Sequence, residues 1–368
     1  MSERQDFIMM ARHEEANIAA LCRQFGISRK TGYKWLGRAA AGGEALQDRS
    51  RRPQSSPHRT SAEVEARIVD LRQRHPAWGG RKLHHRLRAL GLPAPPPSTI
   101  TSILRRHGLL PATPPRRDFV RFARETVNDL WQMDFMGHRA LRQGRVHPLT
   151  IVDDHSRFGV CLAACANQQQ ATVKDQLTAV FRRFGLPQII LCDNGAPWGT
   201  AGMGGLTSLE AWLLQLGVDP WHGRPHHPQT QGKVERFHGT IAAEVFAPHP
   251  APFADLPTIQ AAFDAFRTRY NHERPHEALT NTVPASHYQP SPRPFPEVLP
   301  APTYGPDDVV RTVTVHGSIS WQGRRAFVSR GLVGQPVAIR PTDQDGVWDV
   351  VFCQRPVARI DLTLPDEV

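Results

Sequence analysis

The chain is poor in cysteine, and the little it has falls in the wrong pattern for a covalent or metal frame. Five cysteines in 368 residues, at 22, 161, 165, 192 and 353, are odd in number, lie in apolar runs and include no Cys-x-x-Cys pair. That pattern argues against a disulfide scaffold or a cysteine zinc site and predicts reduced core residues of an intracellular protein. No stretch approaches the roughly 18 to 20 consecutive apolar residues of a membrane helix, so no membrane partner is expected. The start, Met1-Ser2-Glu3-Arg4-Gln5-Asp6, has no apolar signal core, which predicts a chain that stays in the cytoplasm. Positive excess is missing from most of the chain. Residues 1–120 carry 22 Lys and Arg against 10 Asp and Glu, whereas the other 248 carry 23 against 24. The net charge of +11 thus belongs to the first third, and basic charge gathered in small helical segments suits a phosphate backbone.

Residues 17–38 read as a helix stopped at Gly26, a tight turn, and a second helix capped by Ser28, the helix-turn-helix pattern. Arg29, Lys30, Thr31 and Lys34 stand early on the second helix, where base edges and phosphates are met. Leu21, Phe25, Ile27 and Trp35 fill a small core. Residues 48–60 form a polar, basic linker. A second helical unit follows, with helices near 62–74, 80–90 and 98–107, the last capped by Ser98, and with Arg81, Lys82, Arg86, Arg88, Arg105 and Arg106 making it basic. From residue 128 the periodicity becomes that of alternating strands and helices. Strands are expected at 129–136, 147–153, 158–165, 188–192 and 218–222, and helices at 172–184, 206–216 and 231–246, an α/β domain with a mixed sheet. Residues 284–306 carry eight prolines in 23 positions and read as a stiff, unpacked connector. The valine-rich tail, with turn signals at Gln322-Gly323 and Asp345-Gly346, reads as a small antiparallel barrel. The expected segments are 1–50, 60–112, 124–283, 284–306 and 307–368.

Three acids carry the chemistry. Asp134 lies in strand-like Leu130-Trp131-Gln132-Met133-Asp134, Asp193 in Cys192-Asp193-Asn194-Gly195, and Glu235 in Gln231-Gly232-Lys233-Val234-Glu235. Taken singly they are a strand-edge acid, a turn residue and a solvated helix residue. Together, on separate elements beside turn signals, they suit a site that binds divalent metal and acts on phosphate esters. Two hard cations about 4 Å apart clamp the attacking and leaving oxygens of such a reaction, and Mg²⁺ takes carboxylates and water as ligands. Asp134 would bridge both ions, with Asp193 completing one shell and Glu235 the other. The adjacent pair Asp153-Asp154 is read as a decoy, Asp154 bonding within a turn. The histidines at 222, 226, 227 and 238 fit no common zinc spacing and are assigned to DNA contact or packing.

Those motifs, with Tyr270-Asn271-His272-Glu273-Arg274-Pro275-His276-Glu277-Ala278-Leu279 and Pro284-Ala285-Ser286 after them, resemble bacterial insertion-sequence DDE transposases with a retroviral-integrase-type catalytic core. The resemblance covers nearly the whole chain. It implies an RNase H-like core, two helix-turn-helix domains before it (the second winged-helix-like) and an SH3-like barrel after it. It also implies two Mg²⁺ ions, with Mn²⁺ able to substitute, held by Asp134, Asp193 and Glu235. Gln231, Gly232 and Lys233 match the loop that approaches DNA beside the third acid. The departure is length: 42 positions separate Asp193 from Glu235, several more than is usual in the retroviral type, with residues 199–205 as the apparent surplus.

The expected activity is water attack at each element end to free a 3′-hydroxyl, which then attacks target DNA in line. The partners implied are double-stranded DNA, as terminal repeats and target, and further copies of the chain at the nucleoid. Two rivals stand beside this reading. One is a helix-turn-helix regulator with a non-catalytic integrase-like domain; the other is a nuclease that hydrolyses without joining.

Overall fold

The structure is a computed structural model describing residues 3–40, 59–110, 124–199, 205–223 and 232–364. It divides into two compact units, Met1–Arg59 and Thr60–Val368.

The first unit holds α1 (Glu3–Ala11), α2 (Ile18–Gln24) and α3 (Arg29–Ala40). Asn17 caps α2, its side chain accepting the amides of Ala19 and Ala20 at 3.1 Å. Gly26 takes φ +62°, the left-handed turn that glycine makes without steric penalty. Ser28 Oγ then accepts the Thr31 amide at 3.1 Å, so the expected cap is in place. Phe7, Ile8 and Cys22 are buried, with Leu21, Phe25, Ile27 and Trp35 packed around them. The linker residues 48–58 lie outside the described residues.

The second unit opens with α4 (Ala62–Arg74), α5 (Gly80–Ala89) and α6 (Pro97–Arg106) around Ile68, Trp78, Leu83, Leu87, Ile100 and Leu104. Gly80 brings α5 against α6: a Cβ there would meet the Pro97 carbonyl oxygen at 2.6 Å. The expected Ser98 cap is not formed. Pro96 occupies the cap position and Pro97 the first turn, where its fixed φ and missing N–H are tolerated.

The core sheet contains β1 (Leu130–Phe135), β2 (Arg139–Ala140), β3 (Arg145–Asp153), β4 (Gly159–Cys165), β5 (Ile189–Cys192) and β6 (Asp219–His222). Its order is β2-β3-β1-β5-β6, with β4 also on β3. β1 is central, antiparallel to β3 and parallel to β5. Alternation along β1 sends Trp131, Met133 and Phe135 into the cluster under α7 (Gln170–Phe184) and α8 (Ser208–Gln215). The opposite face packs against α9 (Gly232–Ile241) and α10 (Leu256–His272) through Val152, Leu162, Phe237, Ile241, Phe263 and Phe266. Gln132 and Asp134, two residues apart, therefore share the α9 side. The helix expected over 231–246 changes to π geometry at Ala242–Phe246, and its first residue, 231, lies outside the described residues.

The proline-rich connector is extended, but the expectation that it would not pack is wrong. Ser291 N donates to Phe184 O at 2.7 Å, and Leu186 N to Arg293 O at 2.8 Å. Tyr288 stacks on Phe158 at 4.1 Å between centroids, and Arg293 bonds the carbonyls of Pro187, Leu216 and Gly217. Proline lacks only the N–H; the carbonyls of Gln289 and Arg293, and the aromatic and arginine side chains between the prolines, fasten the strap. The C-terminal region forms the sheet β7 (Val309–Thr312), β10 (Pro336–Pro341), β11 (Val347–Phe352) and β12 (Arg355–Asp361), plus the hairpin β8 (Ser318–Trp321) and β9 (Arg324–Phe327). Gln322 and Gly323, at φ +48° and +81°, make the hairpin turn expected there. Ser329 Oγ donates to Leu206 O at 2.6 Å and accepts Leu206 N at 2.9 Å, docking this region on the core beside α8.

Candidate active site

Asp134 sits near the end of the central strand, partly buried. Burial raises its carboxyl to about 6, helped by the nearby charges of Asp193 and Glu235 and opposed by a bond from the Phe135 backbone. All three predicted acids are therefore within electrostatic reach of one another. Asp193 is exposed, the first residue beyond β5, and Glu235 is exposed in the first turn of α9. Among the described residues no lysine, arginine or histidine forms an ion pair with any of the three. Nor, among the described residues, are three His, Cys, Asp or Glu side chains gathered closely enough to hold one ion together. The three carboxylates are hard oxygen donors of the kind Mg²⁺ takes together with water, so the donor chemistry fits such an ion.

Asp134 and Asp193 are set by different neighbours. Thr150 on β3 pairs with Asp134 and donates its hydroxyl to the Asp134 carbonyl at 2.8 Å. The same hydroxyl oxygen lies 2.7 Å from His238 Nε2, and burial holds the His238 ring down to about 4. It is thus a neutral donor, three residues beyond Glu235. The Asp193 carbonyl accepts His222 Nδ1 at 2.7 Å, and His222 Nε2 meets Glu210 Oε1 at 2.8 Å. The Glu210 bond raises the His222 pKa. For Glu210, burial pushes upward, but the bonds from His222 and Thr207 outweigh it and leave its carboxyl below the usual range. Glu210 also closes the capping box of α8 with Thr207. Asn194 Nδ2 donates to Gly223 O at 2.8 Å, tying the turn after β5 to the end of β6.

The decoy pair is buried, and the turn is held by the other acid than the one expected. Asp153 holds the turn, accepting the Ser156 amide at 2.7 Å and hydroxyl at 2.6 Å. Asp154, fully buried, reaches instead to Gln132 and Lys233. Lys233, expected to approach DNA, is turned inward onto Asp154 with 12% of its side chain exposed. Gln231, His226, His227 and residues 200–204 lie outside the described residues.

The two basic helices differ in setting. Arg29, Lys30 and Lys34 are exposed on α3, with Thr31 half-buried in the cap. In the second unit, Arg81 pairs with Glu277 at 3.3 Å and Arg86 with Glu273 at 2.7 Å. Burial, with Arg274 nearby, lowers Lys82 to about 8. Trp78 Nε1 and Arg274 Nε both donate to Glu244 Oε1, at 3.1 and 3.0 Å. Arg81, expected on DNA, thus pairs with an acid of the core and Lys82, also expected there, is partly buried near Arg274, while Arg105 is exposed and Arg106 pairs with Glu65 at 2.6 Å. Sequence reasoning missed Gln132, Glu210 and Glu244. The signal available for Gln132 was a lone polar residue inside an apolar strand.

Comparison with known proteins finds matches along most of the chain. Residues 124–228 and 216–284 match two models of the integrase core domain. Residues 308–367 match the C-terminal domain of IS481 family transposases, residues 3–54 a helix-turn-helix domain and 31–104 a homeodomain-like domain. An IS407 insertion element protein of Burkholderia multivorans is 26% identical over 63% of this chain and 82% of its own length. An IS476 insertion element protein of Xanthomonas euvesicatoria is 28% identical over 60% of this chain and 63% of its own length. The HTLV-2 integrase catalytic core domain, solved in complex with magnesium, aligns with 44% of this chain and 97% of its own at 14% identity and a TM-score of 0.34.

Proposed function

We propose that this protein, whose chain matches helix-turn-helix domains ahead of an integrase core and an IS481-type transposase C-terminal domain, is the enzyme that cuts and joins the ends of a mobile DNA element. The carrying observation is three carboxylates within electrostatic reach of one another, with no protein cation paired to them among the described residues.

Asp134, Asp193 and Glu235 would hold two Mg²⁺ ions, or Mn²⁺ in their place. When bound, these ions polarise the phosphodiester and stabilise the attacking and leaving oxygens. The chain's own part is positioning. β1 supplies a rigid root for Asp134, and the Glu210–His222 pair fixes the backbone that presents Asp193. The reaction is two in-line displacements. Water breaks the bond from phosphorus to the 3′ oxygen at the element end, leaving a 3′-hydroxyl. That hydroxyl then forms a new bond to a target phosphorus and releases a target 3′ oxygen. Neither step calls for a covalent protein–DNA link, and joining both ends calls for at least two copies of the chain.

End recognition belongs to the helical domains, within 1–50 and 60–112, with Arg29, Lys30, Thr31, Lys34, Arg105 and Arg106 meeting DNA. Phosphate contacts supply much of the affinity and its salt dependence. No described helix is long and apolar enough to cross a membrane, and the proposed setting is the cytoplasm, at the nucleoid.

The test is a strand-transfer assay with Mg²⁺, the DNA ends flanking this gene and a supercoiled target. Joined products lost in Asp134→Asn, Asp193→Asn and Glu235→Gln are expected. End binding without joined products in either Mg²⁺ or Mn²⁺ would favour the regulator instead.

A further inference from the structure

Asp154 lies behind α9 with no exposed surface, and three parts of the chain converge on it. Gln132 Nε2 of β1 donates to Oδ1 at 2.8 Å, the Arg124 amide donates to Oδ2 at 2.7 Å, and the Lys233 ammonium pairs with Oδ2. Gln132, 1% exposed, uses its other end on α9: its Oε1 accepts the Val234 amide at 3.2 Å. That amide is among the first N–H groups of a helix, which have no partner within the helix itself. Here the partner comes from the central strand, two residues before Asp134 and on the same face. A continuous polar chain therefore runs from β1 through Gln132 to Val234, with Lys233 and Asp154 bracing it, and Glu235 is the next residue.

Burying a lysine–carboxylate pair is a poor way to gain stability, because desolvation offsets most of the attraction, and apolar replacements of similar volume are often neutral or stabilising. A pair of this kind is better suited to fixing geometry. Resting on the transposase reading above, we propose that Gln132, Asp154 and Lys233 are positioning residues that set the place of Glu235 relative to Asp134. On this account Lys233 acts through α9 from inside the protein. The neutral amide of Gln132 suits the central position, since one end donates to a carboxylate while the other accepts an N–H. A glutamate there would have no N–H to give Asp154.

The experiment uses the full chain and two variants, Gln132→Met and the double variant Asp154→Leu/Lys233→Met. Both are expected to keep wild-type end binding and a melting temperature close to that of wild type. Strand transfer should fall about 100-fold, the effect of misplacing a reacting group by an ångström. Half-maximal activity should also need several-fold more Mg²⁺. In metal-free protein, amide hydrogen exchange of the segment 232–236 should quicken, most sharply in Gln132→Met. A loss confined to thermal stability, with the Mg²⁺ requirement unchanged, would mean the pair is only structural and would overturn the proposal. So would unchanged exchange in Gln132→Met, which decides the matter if the double variant fails to fold. If the wild-type chain joins no DNA, the transposase reading fails, and the exchange measurement still tests the positioning.

Discussion

The interior of the core and the edge that carries Asp134, Asp193 and Glu235 treat negative charge in opposite ways. Asp154, Glu210 and Glu244 are buried, and each is met by a basic side chain of the same chain: Lys233, His222 and Arg274 respectively. At the edge, Asp134 is pushed up to about 6 by burial and by Asp193 and Glu235, and no described cation is paired with it. The fold thus answers these interior charges internally and leaves the edge carboxylates without a paired protein cation among the described residues; on the proposed reading, bound metal answers them. Desolvation makes both arrangements costly, but only the second is relieved by an ion from outside.

The comparison is broken most severely at the edge itself. Asp193→Asn should lower joining at least ~1,000-fold, since several kcal/mol of charge stabilisation are at stake at 1.4 kcal/mol per tenfold, while end binding in a gel-shift assay stays intact. An equivalent neutralisation inside should act on stability instead. Glu244→Gln strands Arg274, whose side chain is 11% exposed, and should destabilise by about 3–5 kcal/mol in urea denaturation. The same network touches Trp78, so loosening of α4–α6 from the core is the expected accompaniment.

The sharpest contrast is one of sign. The Asp134 carboxyl titrates in the folded protein near 6 rather than its unfolded 3.8, so between those values the folded state holds the extra proton. Stability of the metal-free protein therefore falls as pH rises from about 4 through 6, and the full penalty is present above 6. Asp134→Asn should stabilise metal-free protein at pH 7, by up to about 3 kcal/mol, with the gain vanishing as pH falls towards 4. Calorimetric melts across that range measure it; Mg²⁺ should raise the melting temperature of wild type and not of the variant. The smallest effect lies in the first unit, where Lys30→Ala should lower the slope of log affinity against log salt by about 1 without touching catalysis.

Periodicity alone located β1, β3, β4, β5, α7 and α8 to within a few residues, because strands buried on both faces and amphipathic helices leave regular apolar patterns. The three acids were singled out because each stands in a distinctive local motif. Lys233 was misplaced: position 233 borders the buried stripe formed by Val234, Phe237 and Ile241, but a lysine there reads as exposed until Asp154 is known to lie beneath it. The connector misled for a related reason. Its prolines exclude ladder N–H groups, yet Phe158, Phe184 and Leu186, which receive it, come from elements more than 90 residues away in sequence.

Composition and periodicity by themselves determined that basic helical domains precede an α/β core and a β-rich tail, and short motifs singled out the three carboxylates proposed for the chemistry. Both are local properties, written in side-chain period and short motifs. Only the tertiary structure decided which other groups hold those acids in place. Gln132 meets Val234, and Glu210 meets His222, because strand pairing and helix packing bring distant positions within hydrogen-bonding reach. A polar side chain's partner is set by three-dimensional proximity, which no local pattern records.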